Sequence, residues 1–206
     1  MTEPSYEPRK RPKQARSRFL FDAIVSAAGR VLPGLGLEGL TTHDVAEAAG
    51  VSVGSLYQYF PTKEAIVGVL IERRAREDAE RVRRVLEGMR GRPLREGLAD
   101  MVRDVVALHR EARPLYRAML PLVARVRRHR YVRQLVAEVR REIARELRGR
   151  AAELRREDVE TAVFVAGHAL ESCIHAALEE RPELLDDPAF AEELTELVAR
   201  YLVRDP

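Results

Sequence analysis

The sequence predicts an all-α protein, in which a small N-terminal three-helix domain precedes a larger helical bundle. Three observations predict this. Apolar residues recur at spacings of three and four along most of the chain, the period of one helix face. β-Branched residues are scattered among Arg, Glu, Ala and Leu rather than gathered into alternating runs, so strand signals are nearly absent. Proline and glycine stand at the joints between periodic segments, at Pro33, Gly50, Pro61, Gly91, Pro114, Pro121, Pro182 and Pro188. A length of 206 residues with 46% hydrophobic and 33% charged residues supports an apolar core under a charged surface and excludes global disorder.

The chain opens on a basic stretch. Residues 1–18 carry Arg9, Lys10, Arg11, Lys13, Arg16 and Arg18 against Glu3 and Glu7, a net charge of +4 where the whole chain has +3. Pro4, Pro8 and Pro12 argue for a flexible arm over 1–16. From Ser17 to Leu32, the residues Phe19, Leu20, Ala23, Ile24, Ala27, Ala28 and Val31 mark a first amphipathic helix, closed by Pro33, Gly34 and Gly36. Thr41 stands three residues before Asp44, as an N-cap with a carboxylate in the first turn, and opens a short helix to about Ala49. Gly50 breaks that helix, Ser52 caps a third one through Phe60, and Pro61 ends it. Residues 17–62 thus read as helix, then helix, glycine turn, helix.

Residues 63–206 form the larger domain. A long helix runs from Lys63 to Met89 on Ile66, Val69, Leu70, Val82, Val85 and Leu86. Further helices are expected from Leu94 to Arg110, around Leu115, from Pro121 to about Arg148, from Arg156 to Glu180 and from Pro188 to Val203. The Arg156–Glu180 segment is apolar on more than one face, and the last helix carries Phe190, Leu194, Leu197, Val198, Tyr201 and Leu202 at helical spacing. Together these two segments leave apolar surface that a second copy of the chain would cover, with Ala166, Leu170, Ile174, Leu194, Leu197 and Tyr201 as interface residues.

Function is written most clearly in Gly36 to Ala65. In a helix-turn-helix the second short helix enters the DNA major groove, its first turn reaches base edges, and its flanks meet phosphate. Here that turn holds Val53, Gly54 and Ser55. Tyr57 and Tyr59 offer hydroxyls on long rings, and Lys63 adds a charge beside a helix N-terminus. Tyr57 as a half-buried core aromatic is the competing reading, and Thr41 is read as a cap rather than a DNA contact.

The run Thr41-Thr42-His43-Asp44-Val45-Ala46, followed by Ala49-Gly50-Val51-Ser52, Gly54, Leu56-Tyr57, Tyr59-Phe60 and Lys63-Glu64, resembles the signature of the TetR family over Arg18 to Ile66. Beyond Ile66 the resemblance is much weaker. It implies that Thr42, Tyr57, Tyr59 and Lys63 contact phosphates while His43, Val53, Gly54 and Ser55 face bases. Val53 departs from the polar or basic residue common there, which leaves it apolar contact only. The resemblance further implies a homodimeric repressor that leaves a palindromic double-stranded operator when a small-molecule effector binds the larger domain. Pocket candidates on the middle helices are Met101, Leu108, Tyr116, Met119, Leu120, Phe164 and His168.

Other chemistry finds little footing. Cys173 is the single cysteine, so neither an intramolecular disulfide nor a cysteine zinc cluster can form, and a small buried apolar role is expected for it. His168, Glu171 and His175 share a helix face but lack a further ligand cluster, so no metal is expected. No phosphate-cradling loop and no catalytic triad can be argued from the order of residues, so neither enzyme activity nor a cofactor is expected. The absence of an apolar leader or a long uncharged span points to a cytoplasmic protein without a membrane partner. The run Arg125, Arg127, Arg128, Arg130 and Arg133 is a charged solvated face or a second patch for acidic ligands. Two rivals stand beside the regulator: a nucleoid-type protein that binds DNA without sequence preference, and a helical enzyme carrying a helix-turn-helix.

Overall fold

The computed structural model describes residues 6–126 and 130–204. Among them the chain forms helices α1 (Ala15–Gly39), α2 (Thr42–Ala49), α3 (Val53–Tyr57), α4 (Lys63–Gly88), α5 (Leu94–Glu111), α6 (Arg113–Val126), α7 (Arg130–Arg148), α8 (Val159–Glu180) and α9 (Pro188–Leu202). Two short 3-10 turns, Ala151–Glu153 and Pro182–Asp186, join the later helices and were not foreseen from sequence. The all-α expectation holds. The one β-type pairing among the described residues is an isolated antiparallel bridge between Leu154 and Val203. It is flanked by Arg155 N–H donating to the Leu202 carbonyl at 2.9 Å and Arg204 N–H to that of Glu153 at 2.8 Å.

Two helix ends differ from the sequence reading, and both involve proline. The first helix does not stop at Pro33 but passes through it and leaves helical geometry at Gly36, whose φ is 66°. Proline removes one amide donor and strains one turn, and the flanking turns of α1 keep their partners in the core through Ala28 and Leu32. Likewise Pro121 lies inside α6 rather than opening the next helix, and Met119 and Leu122 on either side of it are both buried.

The chain divides into two compact units. The first comprises residues 1–75 and 114–132. It extends past the expected boundary at Lys63 because the opening turns of α4 are apolar on the side facing the head: Ala65, Ile66, Val67 and Leu70 are buried with Ile24, Ala28, Val45, Leu56 and Phe60. Phe21 stacks on Phe60 at 4.7 Å and meets Tyr59 edge-on at 6.0 Å. Such aromatic contacts give a small three-helix head a dense centre.

The second unit comprises residues 76–113 and 133–206. Here α5 packs on α9, and α8 packs on α9 and on the turn at Pro182–Asp186. Its core gathers Leu98, Val102, Val106, Leu147, Val163, Ile174, Leu178, Leu194, Val198 and Leu202. Arginine side chains tie its surface together: Arg83 grips Glu142 with two hydrogen bonds of 2.8 and 3.1 Å, and Arg81 joins Asp104 at 2.6 Å and Glu111 at 3.1 Å. Arg150 donates to the carbonyls of Met89 and Arg92, closing the C-terminal end of α4.

Candidate nucleic-acid interface

Both short helices of the head are fixed by their own side chains. Thr41 and Asp44 cap α2 reciprocally: Asp44 N–H donates to Thr41 Oγ1 at 3.2 Å, and Thr41 N–H donates to Asp44 Oδ2 at 2.8 Å. The Thr41 hydroxyl also donates to Asp44 Oδ2 at 2.6 Å. These bonds to the ionised form, from the Thr41 hydroxyl first and its amide second, hold the Asp44 carboxyl below its ordinary value of 3.8. At the other end of α2, Gly50 adopts a φ of 67° and its amide reaches the Glu47 carbonyl at 3.0 Å, while Val51 N–H reaches that of Ala46 at 3.0 Å. Arg30 from α1 donates to the Ala48 carbonyl at 2.8 Å and satisfies that end further. Ser52 then caps α3, accepting from Ser55 N–H at 3.1 Å. The turn is thereby closed within a few residues, and α3 is held at a fixed angle to α2 by the buried Leu56 and Val45.

This scaffold brings several of the sequence-nominated residues to one surface. The Thr42 and Tyr57 hydroxyls, contributed by different helices, lie 3.0 Å apart. Tyr57 is 41% exposed, which favours the surface reading over the core one. His43 and Gly54 are exposed and Val53 and Ser55 half-buried. The Ser55 hydroxyl sits 2.8 Å from that of Ser52, which orients it. Lys63 begins α4, whose amide at Ala65 donates to Thr62 Oγ1 at 3.2 Å, and its ammonium donates to the Glu38 carbonyl at 2.9 Å.

Tyr59 is placed differently from the others. It is buried, 6% exposed, with its ring against Phe21 and Lys10 Nζ 5.1 Å above the ring centre. It lies in the turn that follows α3 and packs into the head core, so in this conformation it anchors the segment before α1 rather than offering a hydroxyl to the surface. That segment is the feature the sequence reading missed. Residues expected to form a flexible arm run across the head from Tyr6: Arg9 N–H donates to the Tyr59 carbonyl at 2.7 Å, and Arg11 pairs with Glu72 at 2.5 Å. Glycine at mid-helix, Gly68, was the one signal in the sequence that a backbone passes close by.

The remaining candidates divide. Of the pairing residues, Ala166, Ile174 and Leu194 are buried in the chain's own core, Ile174 fully and Leu194 to 4% exposure, so their side chains do not form a free interface. Leu170 and Tyr201 are half-buried and Leu197 is 47% exposed. Val165 and Phe164 add apolar surface on α8 at 41% and 52% exposure. Phe164, nominated for a pocket, is therefore a surface residue, with its ring centre 4.1 Å from that of His168 at a tilt of 43° and under the Arg140 guanidinium. Tyr116, Met119 and Leu120 belong to the first unit, and Met101, Leu108, Phe164 and His168 to the second. A cleft of about 530 Å³ in the second unit is lined by none of these seven but by residues including Arg103, Arg110, Leu185, Asp186, Ala191 and Glu192. His168 meets Phe164 and Arg140 while His175 lies 6.1 Å from His109, so the two histidines of the shared face serve different neighbours. Cys173 is half-buried rather than buried. The arginines at 125, 127, 128 and 130 lie outside the residues whose side chains are described.

Comparison with known proteins now adds to the geometry. The family profile described as "Bacterial regulatory proteins, tetR family" matches residues 24–70, and that described as "Tetracyclin repressor-like, C-terminal domain" matches residues 93–202. Among curated proteins, the nucleoid occlusion factor SlmA of Haemophilus ducreyi is 36% identical over 73 residues, and that of Glaesserella parasuis 34% over 73 residues. Each alignment covers 35% of this chain and 35% of the relative, so the chain spans about a third of the length of the curated relatives it matches. Among solved structures, a TetR-family transcriptional regulator from Streptomyces coelicolor superposes with a TM-score of 0.64 at 23% identity, covering 90% of this chain and 97% of that one. The fatty acid degradation regulator FadR from Bacillus halodurans gives 0.69 at 17% identity, covering 91% and 96%. SmeT, the repressor of a multidrug efflux pump in Stenotrophomonas maltophilia, gives 0.61 at 19% identity, covering 90% and 91%. These three share the fold.

Proposed function

We propose that this chain, which belongs to the TetR family of bacterial regulatory proteins, is a homodimeric, sequence-specific transcription regulator that represses from a palindromic operator and leaves it when a small molecule binds the larger domain. The observation that carries the reading is the pairing of the Thr42 and Tyr57 hydroxyls at 3.0 Å on the exposed side of a doubly capped helix-turn-helix, next to Ser55, Gly54 and His43. Two hydroxyls from different helices form a ready clamp for one phosphate, and Lys63 supplies charge beside it. The first turn of α3 then meets base edges through Ser55 and His43. Pairing is supported by the apolar residues left at the surface of α8 and α9, Phe164, Val165 and Leu197. An effector regulates only as far as it binds the DNA-competent and incompetent states unequally. The cytoplasm is the fitting location. Helices α1 and α8 are long and apolar enough to cross a membrane, yet they bury core side chains such as Ile24, Ala28, Ile174 and Leu178.

The test compares the duplex upstream of the chain's own gene with scrambled DNA across salt concentrations. Lys63→Ala should weaken both and flatten the salt dependence by about one counterion per head. Ser55→Ala should cost roughly 1 to 3 kcal/mol on the operator alone and relax one position of each half-site. The curated relatives are nucleoid occlusion factors, which supports a second reading as a nucleoid-associated DNA-binding protein; its version without sequence preference is the rival to test. A preference of no more than a few-fold for the upstream duplex would select that second reading.

A further inference from the structure

We infer that Gly68 and Glu72 on α4 form a receptor for residues 6–11, which holds the basic N-terminal segment on the head so that it meets DNA as a placed element rather than a free tail. The inference rests on the DNA-binding reading above. Contacts at three places along the segment hold it on the head. At its start, the Tyr6 carbonyl passes so close to α4 that a Cβ built on Gly68 would lie 2.6 Å from the oxygen. Glycine weakens a helix interior, and this close passage of a second backbone is the reason one is needed there. In the middle, Arg9 N–H donates to the Tyr59 carbonyl at 2.7 Å and Lys10 lies over the Tyr59 ring. At its end, Arg11 meets Glu72 at 2.5 Å.

The chemistry of the last contact decides that the segment stays down. The Glu72 side chain is only 6% exposed, whereas that of Arg11 is 51% exposed. Withdrawal of Arg11 would take a charge-assisted partner from a carboxylate that water hardly reaches, and that is costly. Docking also fixes where charge goes: Arg9, Lys10 and Lys13 remain exposed on a segment whose backbone is tied to the carbonyl that ends the recognition-helix region. Basic groups already in place contribute to phosphate binding without the ordering cost that a flexible tail incurs. Gly68, Glu72 and Arg11 are in this sense positioning residues for Arg9, Lys10 and Lys13.

The chain offers its own reporter. Its lysines are Lys10, Lys13 and Lys63 alone, so a protease that cuts after lysine reads the segment almost exclusively. Gly68→Ala changes no charge, Arg11→Ala removes the anchor, and Gly88→Ala is the matched control, because a Cβ at Gly88 on the same helix meets nothing within 4 Å. In the full-length protein, Gly68→Ala and Arg11→Ala should speed cleavage at Lys10 and Lys13 about tenfold. Both should lower affinity for a random-sequence duplex about tenfold, and Gly68→Ala should make the salt slope shallower by about two despite unchanged charge. Arg11→Ala should melt earlier, because Glu72 loses a charge-assisted partner, and Gly88→Ala should behave as wild type. Fast cleavage with unchanged affinity and slope would show that placement is not used and would overturn the inference. Cleavage unchanged in both variants would overturn it as well. A wild-type protein that protects its lysines but binds neither the upstream nor the random duplex would instead bring down the regulator reading, and this role with it.

Discussion

Asp44 shows how much of the head is written in single residues. Its carboxylate accepts from the Thr41 hydroxyl and amide, and its ionised form is favoured in the folded state. A carboxyl held below its ordinary value of 3.8 stabilises the fold above that value and stops doing so as pH falls through the lower, folded one. Wild-type protein should therefore lose stability below about pH 4 relative to Asp44→Asn, whose cap does not titrate, when melting is followed by circular dichroism. An Asp44→Asn profile parallel to wild type through that window would remove the carboxylate from the account. The exposed placement of His43 and Tyr57 was legible because capping, helical period and turn chemistry fix their side in a few residues. Tyr59 was not. It and its neighbour Phe60 lie beyond the end of α3, where helical period no longer fixes a side, and only the contacts with Phe21 and Lys10 show which way the ring turns.

At the scale of elements, α3 has five residues and cannot persist on intrinsic propensity, which needs several turns to offset nucleation. Its geometry comes from Ser52 at one end and Leu56 in the core. Ser52→Ala should lower the stability of the head by about 1 kcal/mol, seen as an earlier melt, and weaken operator binding further than Ser55→Ala if the Ser52–Ser55 hydroxyl contact orients the reading group. Equal melting of Ser52→Ala and wild type would place the stability of α3 wholly in its packing. Helix starts were readable from Thr41 and Ser52, each of which caps as expected of its side chain. Helix ends at proline were not, because proline signals a lost donor but not whether the surrounding core pays for the loss, as Leu32 beside Pro33 and Leu122 beside Pro121 do.

For the whole molecule, the all-α class was legible from period and punctuation alone. Which apolar stripe faces the chain's own core and which faces outward was not, since both carry the same spacing. Leu194 and Leu197 sit on the same helix at 4% and 47% exposure, and they should separate cleanly. Leu194→Glu should destabilise the chain itself by about 3 kcal/mol or more, through a buried unpaired charge. Leu197→Glu should keep the melt and convert dimers to monomers in sedimentation velocity. Dimers that survive both Leu197→Glu and Phe164→Glu would place the pairing surface away from α8 and α9.

The left-handed glycine that ends α2 carries a consequence in the language of chirality. Gly50, with φ of 67° and ψ of 33°, occupies the mirror image of ordinary helical backbone, a region that an L side chain enters only at a cost of roughly 1–2 kcal/mol. For a D residue the same angles are the relaxed ones. A protein assembled by ligation with D-alanine at residue 50 should melt later than the native chain, by about 0.4–1 kcal/mol, because the unfolded state loses freedom that the turn never used. L-Alanine there should melt earlier. The recognition surface would be unchanged in both, so the handedness of a single atom would set how firmly the head is closed without altering what it reads.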